Sequence, residues 1–196
     1  VGFSAGAAVT TGIQNTIIGA SAGDALTDAD YNTAIGYQTL SADTLGSRST
    51  AVGFQALANQ NFTSATDVYN TAMGHGAGGA VTTGTKNTLL GGLAGNSVTT
   101  GFDNTIIGAL AGDSLTDADY NVAVGKEALT SDTLGSRNVA VGWSALAQQN
   151  FSSATNSYNT ALGFQAGLSI STGIFNTLVG ALVGDALTDA DYNVAM

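Results

Sequence analysis

Apolar and polar residues alternate in one short phrase that the chain repeats from end to end. The phrase has five positions: Asn or Ser, Thr or Val, an apolar residue, a large aliphatic residue, and Gly. Position one falls at Asn15, Asn32, Ser49, Asn70, Asn87, Asn104, Asn121, Asn138, Asn159, Asn176 and Asn193. These residue numbers differ by 17, with two intervals of 21. A fixed short period of this kind indicates a repeat architecture.

Each phrase is typical of a short β-strand that ends at a bend. β-branched residues favour strands, and Gly at position five favours a change of direction. Because successive strand residues face opposite sides, positions two and four share one side and position three takes the other. Both sides are apolar, so we expect strands buried on both faces, with positions two and four turned inward. Position three comprises Ile17, Ala34, Ala51, Ala72, Leu89, Ile106, Ala123, Ala140, Ala161 and Leu178.

Strands at this spacing, with no helix-length segment between them, predict an all-β fold. We expect a β-solenoid (a parallel β-roll) of about eleven stacked coils of 17 residues, two of them extended to 21. Stacking at about 4.8 Å per coil gives a rod about 50 Å long, with the Asn residues of position one aligned in a ladder. A repeat of short helices, suggested by pieces such as FQALAN, is the alternative, but those pieces are shorter than a stable helix.

The coils themselves form a larger repeat. One coil type carries D(A/S)LTDADY, the next DTLGSR, the third a four-residue insertion, and the fourth TTG or STG. This four-coil cassette occurs about twice, with one extra coil of the fourth type at 87–103. We therefore expect residues 1–196 to form a single elongated domain. Because the chain starts at Val1 without Met and stops within a phrase, we expect it to be a fragment of a longer fibre.

The corner after the strand shows two alternatives. Four residues after the phrase comes either Gly, followed three residues later by a large apolar residue, or Leu, followed five residues later by one. Leu57 with Phe62 and Gly78 with Val81 are examples. The two spacings differ by two residues, so we expect the second apolar residue to fill the same core position in both.

Charge excludes several classes of partner. The chain has 4 basic and 14 acidic side chains, a net charge of −10, and no Cys. Nucleic acids and anionic membrane surfaces bind Lys and Arg, which are scarce here, so neither is expected as a partner. No apolar run approaches the roughly 20 residues of a membrane-spanning helix. Without Cys there are no disulfides or thiolate metal sites, and no cofactor is expected.

Residues that could support catalysis do not recur together. His75 is the only His, and it occupies a position held in other coils by Ala, Tyr, Phe, Gly, Lys or Trp. No Ser has a recurring His partner, and the glycines of GHGAGG end strands as they do in every other coil. These features favour a protein that is not an enzyme.

Two other patterns are candidate sites. Tyr37, Phe54, Lys126, Trp143 and Phe164 all follow the Gly of a phrase, and form either ordinary surface or a partner-binding stripe. LTDADYN places Asp28, Asp30 and Asn32, and their counterparts, in a spacing found in calcium loops, but the Gly and Glu that complete such loops are missing. We favour turns in which the Asp side chains cap local backbone N–H groups, and predict no tight calcium site in an isolated protomer, although an assembly of protomers could bring these carboxylates together. Arrays of Thr can bind ice, but Thr at position two is expected to face inward.

The phrases NTAIGYQTL, STAVGFQAL, NVAVGWSAL and NTALGFQAG resemble the NTAVGYQAL-type repeats of bacteriophage tail fibres and bacterial surface fibres. They are similar, more distantly, to the head repeats of trimeric autotransporter adhesins, whose period is shorter. The resemblance covers the whole chain. It implies a parallel homotrimeric fibre, displayed on a virion or outside a cell, and supplies no catalytic residues.

Two functions are compatible with these patterns. The first is a structural or adhesive segment of a trimeric fibre that attaches to a cell surface, with a cell-surface glycan or protein as receptor. The alternative is a subunit of a self-assembling extracellular filament. In either case the expected location is extracellular, at a cell surface or on a virion. Because position three is mostly small, we expect self-association through the position-three residues.

Overall fold

The computed structural model describes all 196 residues, Val1–Met196, and contains only strands, turns and bends. The strands are β1 (Thr16–Ile18), β2 (Thr33–Ile35), β3 (Gly46–Ser47), β4 (Thr50–Val52), β5 (Thr66–Asp67), β6 (Thr71–Met73), β7 (Thr88–Leu90), β8 (Thr105–Ile107), β9 (Val122–Val124), β10 (Gly135–Ser136), β11 (Val139–Val141), β12 (Thr155–Asn156), β13 (Thr160–Leu162), β14 (Thr177–Val179) and β15 (Val194–Ala195). None of its elements is a helix with the length and apolarity that a membrane span requires.

The phrase strands stack in one parallel sheet. Eleven of them pair in the order β1-β2-β4-β6-β7-β8-β9-β11-β13-β14-β15, each with equivalent residues opposite each other. Thr33, for example, pairs with Thr16 on one side and Thr50 on the other. Two small sheets, β3 with β5 and β10 with β12, form where the longer coils occur. The predicted all-β parallel solenoid of about eleven turns is therefore confirmed, and the short-helix alternative is wrong.

The two sides of the phrase strand are reversed relative to the expectation. Position three is the buried side: Ala34, Leu89 and Ile106 are fully buried. Positions two and four face outward, where side chains are half-buried or exposed, and Ile18 reaches 46% exposure. A 17-residue coil encloses a narrow interior, which the mostly small residues of position three fit. The expectations of inward-facing Thr, and of self-association through position three, are wrong because the position-three side chains are enclosed within the protomer.

One apolar core runs along the rod, a cluster of 26 buried residues. It contains position three, an Ala three residues after the phrase, and one larger residue per corner, such as Leu57 or Val81. Phe62 is also buried, but it lies outside this cluster. The corner interpretation therefore needs correction: the same core position is filled by Leu57 itself in one coil and by Val81 in the next, where Gly78 replaces Leu.

The backbone explains why Leu and Gly alternate at that corner. Leu57 has φ of 51° and Gly78, one coil later, has φ of 58°. This left-handed conformation suits Gly and costs other residues about 1–2 kcal/mol. A Cβ atom on Gly78 would lie 2.5 Å from Leu89 Cδ1 and 3.0 Å from Leu57 Cδ2, so the neighbouring side chains already occupy the space.

Position five of the phrase has a stricter requirement. Gly36 has φ of 135°, and a Cβ atom there would lie 2.0 Å from the carbonyl oxygen of Gly53 in the next coil. Close backbone approach between coils is therefore what position five needs, and only Gly permits it.

The Asn residues of position one form the predicted ladder. The backbone N–H of Asn104 donates to Asn87 Oδ1 at 3.0 Å, and Asn104 Nδ2 donates to the carbonyl of Ala118 at 2.7 Å. Each buried Asn thus ties its own coil to the preceding one and to a turn 14 residues ahead. This satisfies backbone groups at the corner, which are costly to bury without a partner.

The four-residue insertions bring a buried polar network with them. Gln60 Nε2 donates to Asp43 Oδ2 at 2.6 Å, and Gln60 Oε1 accepts from Asn70 Nδ2 at 2.9 Å. Asp43 Oδ1 also accepts from the backbone N–H groups of Gly46 and Phe62. Asp132, Gln149 and Asn159 repeat this arrangement in the second cassette. The network supplies partners to polar groups that the insertion buries.

Candidate contact surfaces

The outward side of the main sheet is a continuous strip that we term the Thr–aliphatic face. It comprises positions two and four of the phrase: one column of Thr or Val and one of Ile, Val, Leu or Met. Neither column contains a charged residue. Met73 is 49% exposed and Leu162 is 38% exposed, so large aliphatic side chains meet solvent in the protomer. Extended apolar strips of this kind mark interaction surfaces.

The stripe of residues after the phrase lies at the surface, as its variability suggested. Tyr37, Phe54, Trp143 and Phe164 are each between 39% and 48% exposed, and the Lys126 side chain is 57% exposed. Their role in contacting a partner stays a prediction.

The exposed rings of this stripe stack on one another. The Tyr37 and Phe54 centroids are 5.4 Å apart with planes 17° from parallel, and Phe54 and His75 are 5.0 Å apart at 7°. Trp143 and Phe164 are 4.9 Å apart. Stacking uses the flat faces of the inner rings, so Phe54 offers a partner its edge. His75 is thus an exposed end member of the stripe, at a position where the other coils hold many different residue types.

A second stripe, directly before the phrase, was missed. Arg48 Cζ lies 4.5 Å from the Tyr31 ring centroid and 5.9 Å from that of Tyr69. The second cassette repeats this with Arg137 between Tyr120 and Tyr158. Tyr158, Phe175 and Tyr192 then continue as a stack of rings. The signal was available, because these residues recur at the same period as the phrase, and stacking places equal positions in contact.

The Asp-rich turns form hydrogen bonds with the preceding coil. Asp30 Oδ1 accepts from the backbone N–H of Ile13 at 2.7 Å, Asp119 Oδ1 from Phe102 at 3.0 Å, and Asp191 Oδ1 from Ile174 at 2.8 Å. The second Asp of each triplet thus accepts a backbone N–H, as expected, but the expectation that this N–H is local is wrong, because it belongs to the preceding coil. No three His, Asp or Glu side chains converge in a group that could hold a metal ion.

Two ionisable groups on this side of the rod have shifted pKa values. The hydrogen bond from Arg48 to Asp67 raises the pKa of the exposed guanidinium. Partial burial raises the pKa of Asp119, and the nearby charges of Asp117 and Asp103 add to this. The N–H of Phe102 and the charge of Arg137 act in the opposite direction. Both groups belong to the contacts that join neighbouring coils.

One cavity, of about 270 Å³, lies between the corners of three successive coils. We term it the amide cavity, because Gln55, Asn59 and Asn96 line it together with Gly76 and Gly79. Its lining has no charged side chain and includes neither His75 nor any Ser. The cavity therefore has hydrogen-bonding groups but no nucleophile or base.

The fold and these surfaces are the basis for assigning a role to the chain. No protein-family model, no curated protein and no solved structure matches it.

Proposed function

We propose that this chain is a structural and adhesive segment of a fibre made of three parallel copies, which attaches to a cell surface. The observation that carries the proposal is the Thr–aliphatic face. A rod built from identical coils supplies reach, and an uncharged apolar strip along its whole length supplies a surface for its own copies. The number three, the extracellular, cell-surface or virion location and the attachment role rest on the resemblance to fibre repeats.

The size of the face supports self-association. Eleven strands at about 4.8 Å give a length of about 50 Å, and two columns of side chains give a width of about 10 Å. The strip thus covers about 500 Å², which is the size of the largest apolar patch on a typical monomer, and such patches are often functional. Because equal residues lie at equal heights, parallel copies around a common axis match Thr with Thr and aliphatic with aliphatic in every coil.

The Thr–aliphatic face is also compatible with a competing role, ice binding. Thr at position two faces outward, contrary to the expectation that disfavoured ice binding. However, Val122 and Val139 interrupt the Thr column, and the second column is aliphatic throughout. Self-association uses both columns, whereas ordered water would use one. We therefore favour self-association.

Sedimentation of the purified chain at micromolar concentration tests the proposal. The wild type should sediment as three copies of the 19.4 kDa protomer. Ile107→Lys places a charge on the Thr–aliphatic face and should give monomers, since an unpaired buried charge is costly. Ala109→Lys is the matched control, because Ala109 is exposed, lies off this face, and occupies the stripe position that holds Lys126.

Three other outcomes have defined meanings. A compact, stable wild-type monomer would overturn the trimer. Particles that grow without limit as concentration rises would support the alternative, a self-assembling extracellular filament. Trimers that persist in Ile107→Lys would place the interface elsewhere on the rod.

A further inference from the structure

The amide cavity exists because two side chains are missing from one coil. Gly76 and Gly79 lie between the coil that carries Gln55 and Asn59 and the coil that carries Asn96. In the second cassette the positions of Gly76 and Gly79 hold Gln165 and Leu168, and no cavity forms there. The chain can therefore fold the same coil with this space filled, so the empty form is not a requirement of the solenoid.

The amides around the cavity have unused hydrogen-bonding capacity. Gln55 Nε2 donates to Gln38 Oε1 at 2.8 Å, and Asn59 Nδ2 donates to the carbonyl of Gly79 at 2.8 Å. These bonds fix both amides in place and leave Gln55 Oε1 and Asn59 Oδ1 without a protein donor. The side-chain amide of Asn96 makes no hydrogen bond within the protein. The cavity thus presents two fixed acceptors and one complete amide, which can both donate and accept.

This chemistry matches a neutral, hydroxyl-rich ligand. Each hydroxyl both donates and accepts a hydrogen bond, as a mixed set of amide groups requires. A phosphate or carboxylate would find no cation in the cavity lining, and the net charge of −10 opposes its approach. At about 270 Å³ the cavity is slightly smaller than the usual range for small-molecule sites, which starts at about 300 Å³, so it suits one ring rather than a chain.

An exposed ring lies directly before Gly76 in the chain, outside the cavity lining. His75 precedes Gly76 and stacks on Phe54 through one face of its imidazole. The next coil has Gly92 at this position, where even an added Cβ atom would meet nothing within 4 Å. The second face of the His75 ring is therefore not covered by a side chain of the next coil. C–H groups of a ligand can pack on this face.

We propose that the amide cavity binds one neutral sugar ring of a cell-surface glycan. The proposal rests on the adhesive function proposed above and names the class of receptor group it recognises. Gln55, Asn59 and Asn96 would bind the hydroxyls, and the free face of His75, outside the lining, would pack on C–H groups of the glycan that extend beyond the cavity. A single site of this size gives weak binding, and three copies in one fibre strengthen attachment through multivalency.

Titration of the ¹⁵N-labelled fibre segment with glucose, galactose, mannose and N-acetylglucosamine tests the site directly. The side-chain NH₂ signals of Gln55, Asn59 and Asn96 report on the cavity itself. At least one sugar should shift all three with a Kd in the millimolar range, and glucuronate should bind more weakly than glucose because of its charge. Asn96→Asp should weaken binding at least tenfold while preserving the fold, since Asp185 occupies the matching position later in the chain.

A variant in which the amide cavity is filled by side chains tests the sugar site separately from the adhesive function of the fibre. Gly76→Gln with Gly79→Leu copies the second cassette and should abolish the shifts, whereas Gln165→Gly with Leu168→Gly is the control and should leave them intact. Absence of any shift at high sugar concentration, or equal shifts in the filled variant, would overturn the site. If the wild type and the filled variant adhere to cells equally, the adhesive function is supported and the sugar site is contradicted. If the sugars shift the side-chain NH₂ signals but the protein does not bind cells, the sugar site is supported and the adhesive function is contradicted.

Discussion

Asn87 and Asn104 lie one coil apart, and the backbone N–H of Asn104 donates to Asn87 Oδ1 at 3.0 Å. Asn104 repeats the relation with Asn121 and also donates from Nδ2 to Ala118. We expect Asn104→Ala to lower the free energy of unfolding by about 2–4 kcal/mol, because it leaves a buried N–H and a buried carbonyl unpaired.

Urea denaturation of the variant measures this effect. Asn104→Asp is the informative companion, since it keeps the acceptor for Asn121 but loses the donor to Ala118 and buries a charge. It should be at least as unstable as Asn104→Ala near neutral pH. A variant at this position with wild-type stability would contradict the ladder's role.

Leu57 should show an unusual order of substitutions. Removing its buried side chain costs about 2–5 kcal/mol, but its φ of 51° is one that Gly accepts more readily than Ala. Leu57→Gly should therefore be no less stable than Leu57→Ala, although Gly is ordinarily the worse replacement in a regular element. Thermal melts of the two variants test this. A melting temperature unchanged from wild type in either one would contradict the assignment of Leu57 to the core.

The two cassettes differ at several buried positions, and exchanging one pair of them should show energetic coupling. Ser49 receives a hydrogen bond from Gln60, whereas Asn138, its counterpart, accepts one from Ser157 Oγ at 2.7 Å. The position of Ser157 holds Val68 in the first cassette. Ser49→Asn alone should cost about 1–3 kcal/mol, since it loses the bond that Ser49 accepts from Gln60 and Val68 cannot donate as Ser157 does. Adding Val68→Ser should recover about 1 kcal/mol relative to the sum of the single changes.

A double-mutant cycle in urea measures the coupling. The Asn138→Ser and Ser157→Val changes in the second cassette form the mirror-image control. Strict additivity in both cassettes would mean that the two positions do not interact.

Asp119 should give the rod a small pH dependence. Its pKa is raised above the ordinary 3.8 by partial burial. Because the pKa of Asp119 is higher in the folded state than in the unfolded state, this residue stabilises the fold at pH values below its unfolded-state pKa. That stabilisation is lost as the pH rises through its folded-state pKa. Asp119→Asn lacks this loss, so its stability relative to wild type should increase as pH rises from about 3 to about 7. Denaturation across this range measures it, and the opposite trend would contradict the burial effect.

Calcium should have little effect on an isolated protomer. The monomeric Ile107→Lys protein provides the sample, and its melting temperature with millimolar calcium should equal that with a chelator. The reason is that Asp30, Asp119 and Asp191 already accept backbone N–H groups. A large calcium-dependent rise that disappears in Asp28→Asn, Asp117→Asn and Asp189→Asn together would show a metal site at these turns.

The period of the phrase, together with its β-branched residues and the lack of a helix-length segment between phrases, was enough to predict the stacked parallel strands. It was not enough to predict which side of the strand is buried. Ala51 and Val52 are both apolar, and only the width of the coil interior decides that Ala51 fits inside. The amide cavity was equally hidden, since it depends on side chains from three coils around Gly76 and Gly79 rather than on any motif.

The shared register of the coils has a genetic consequence. Each coil meets its neighbours through the same backbone contacts, so unequal crossing-over between DNA repeats can add or delete a coil without creating a misfit. The extra coil at 87–103 has the form that one such event would leave. Each added coil lengthens the rod by about 4.8 Å and moves every later surface by that step. The length of the rod and the spacing between its recognition surfaces can thus change by inheritance in fixed increments. The residues of the surfaces themselves mutate independently of this length.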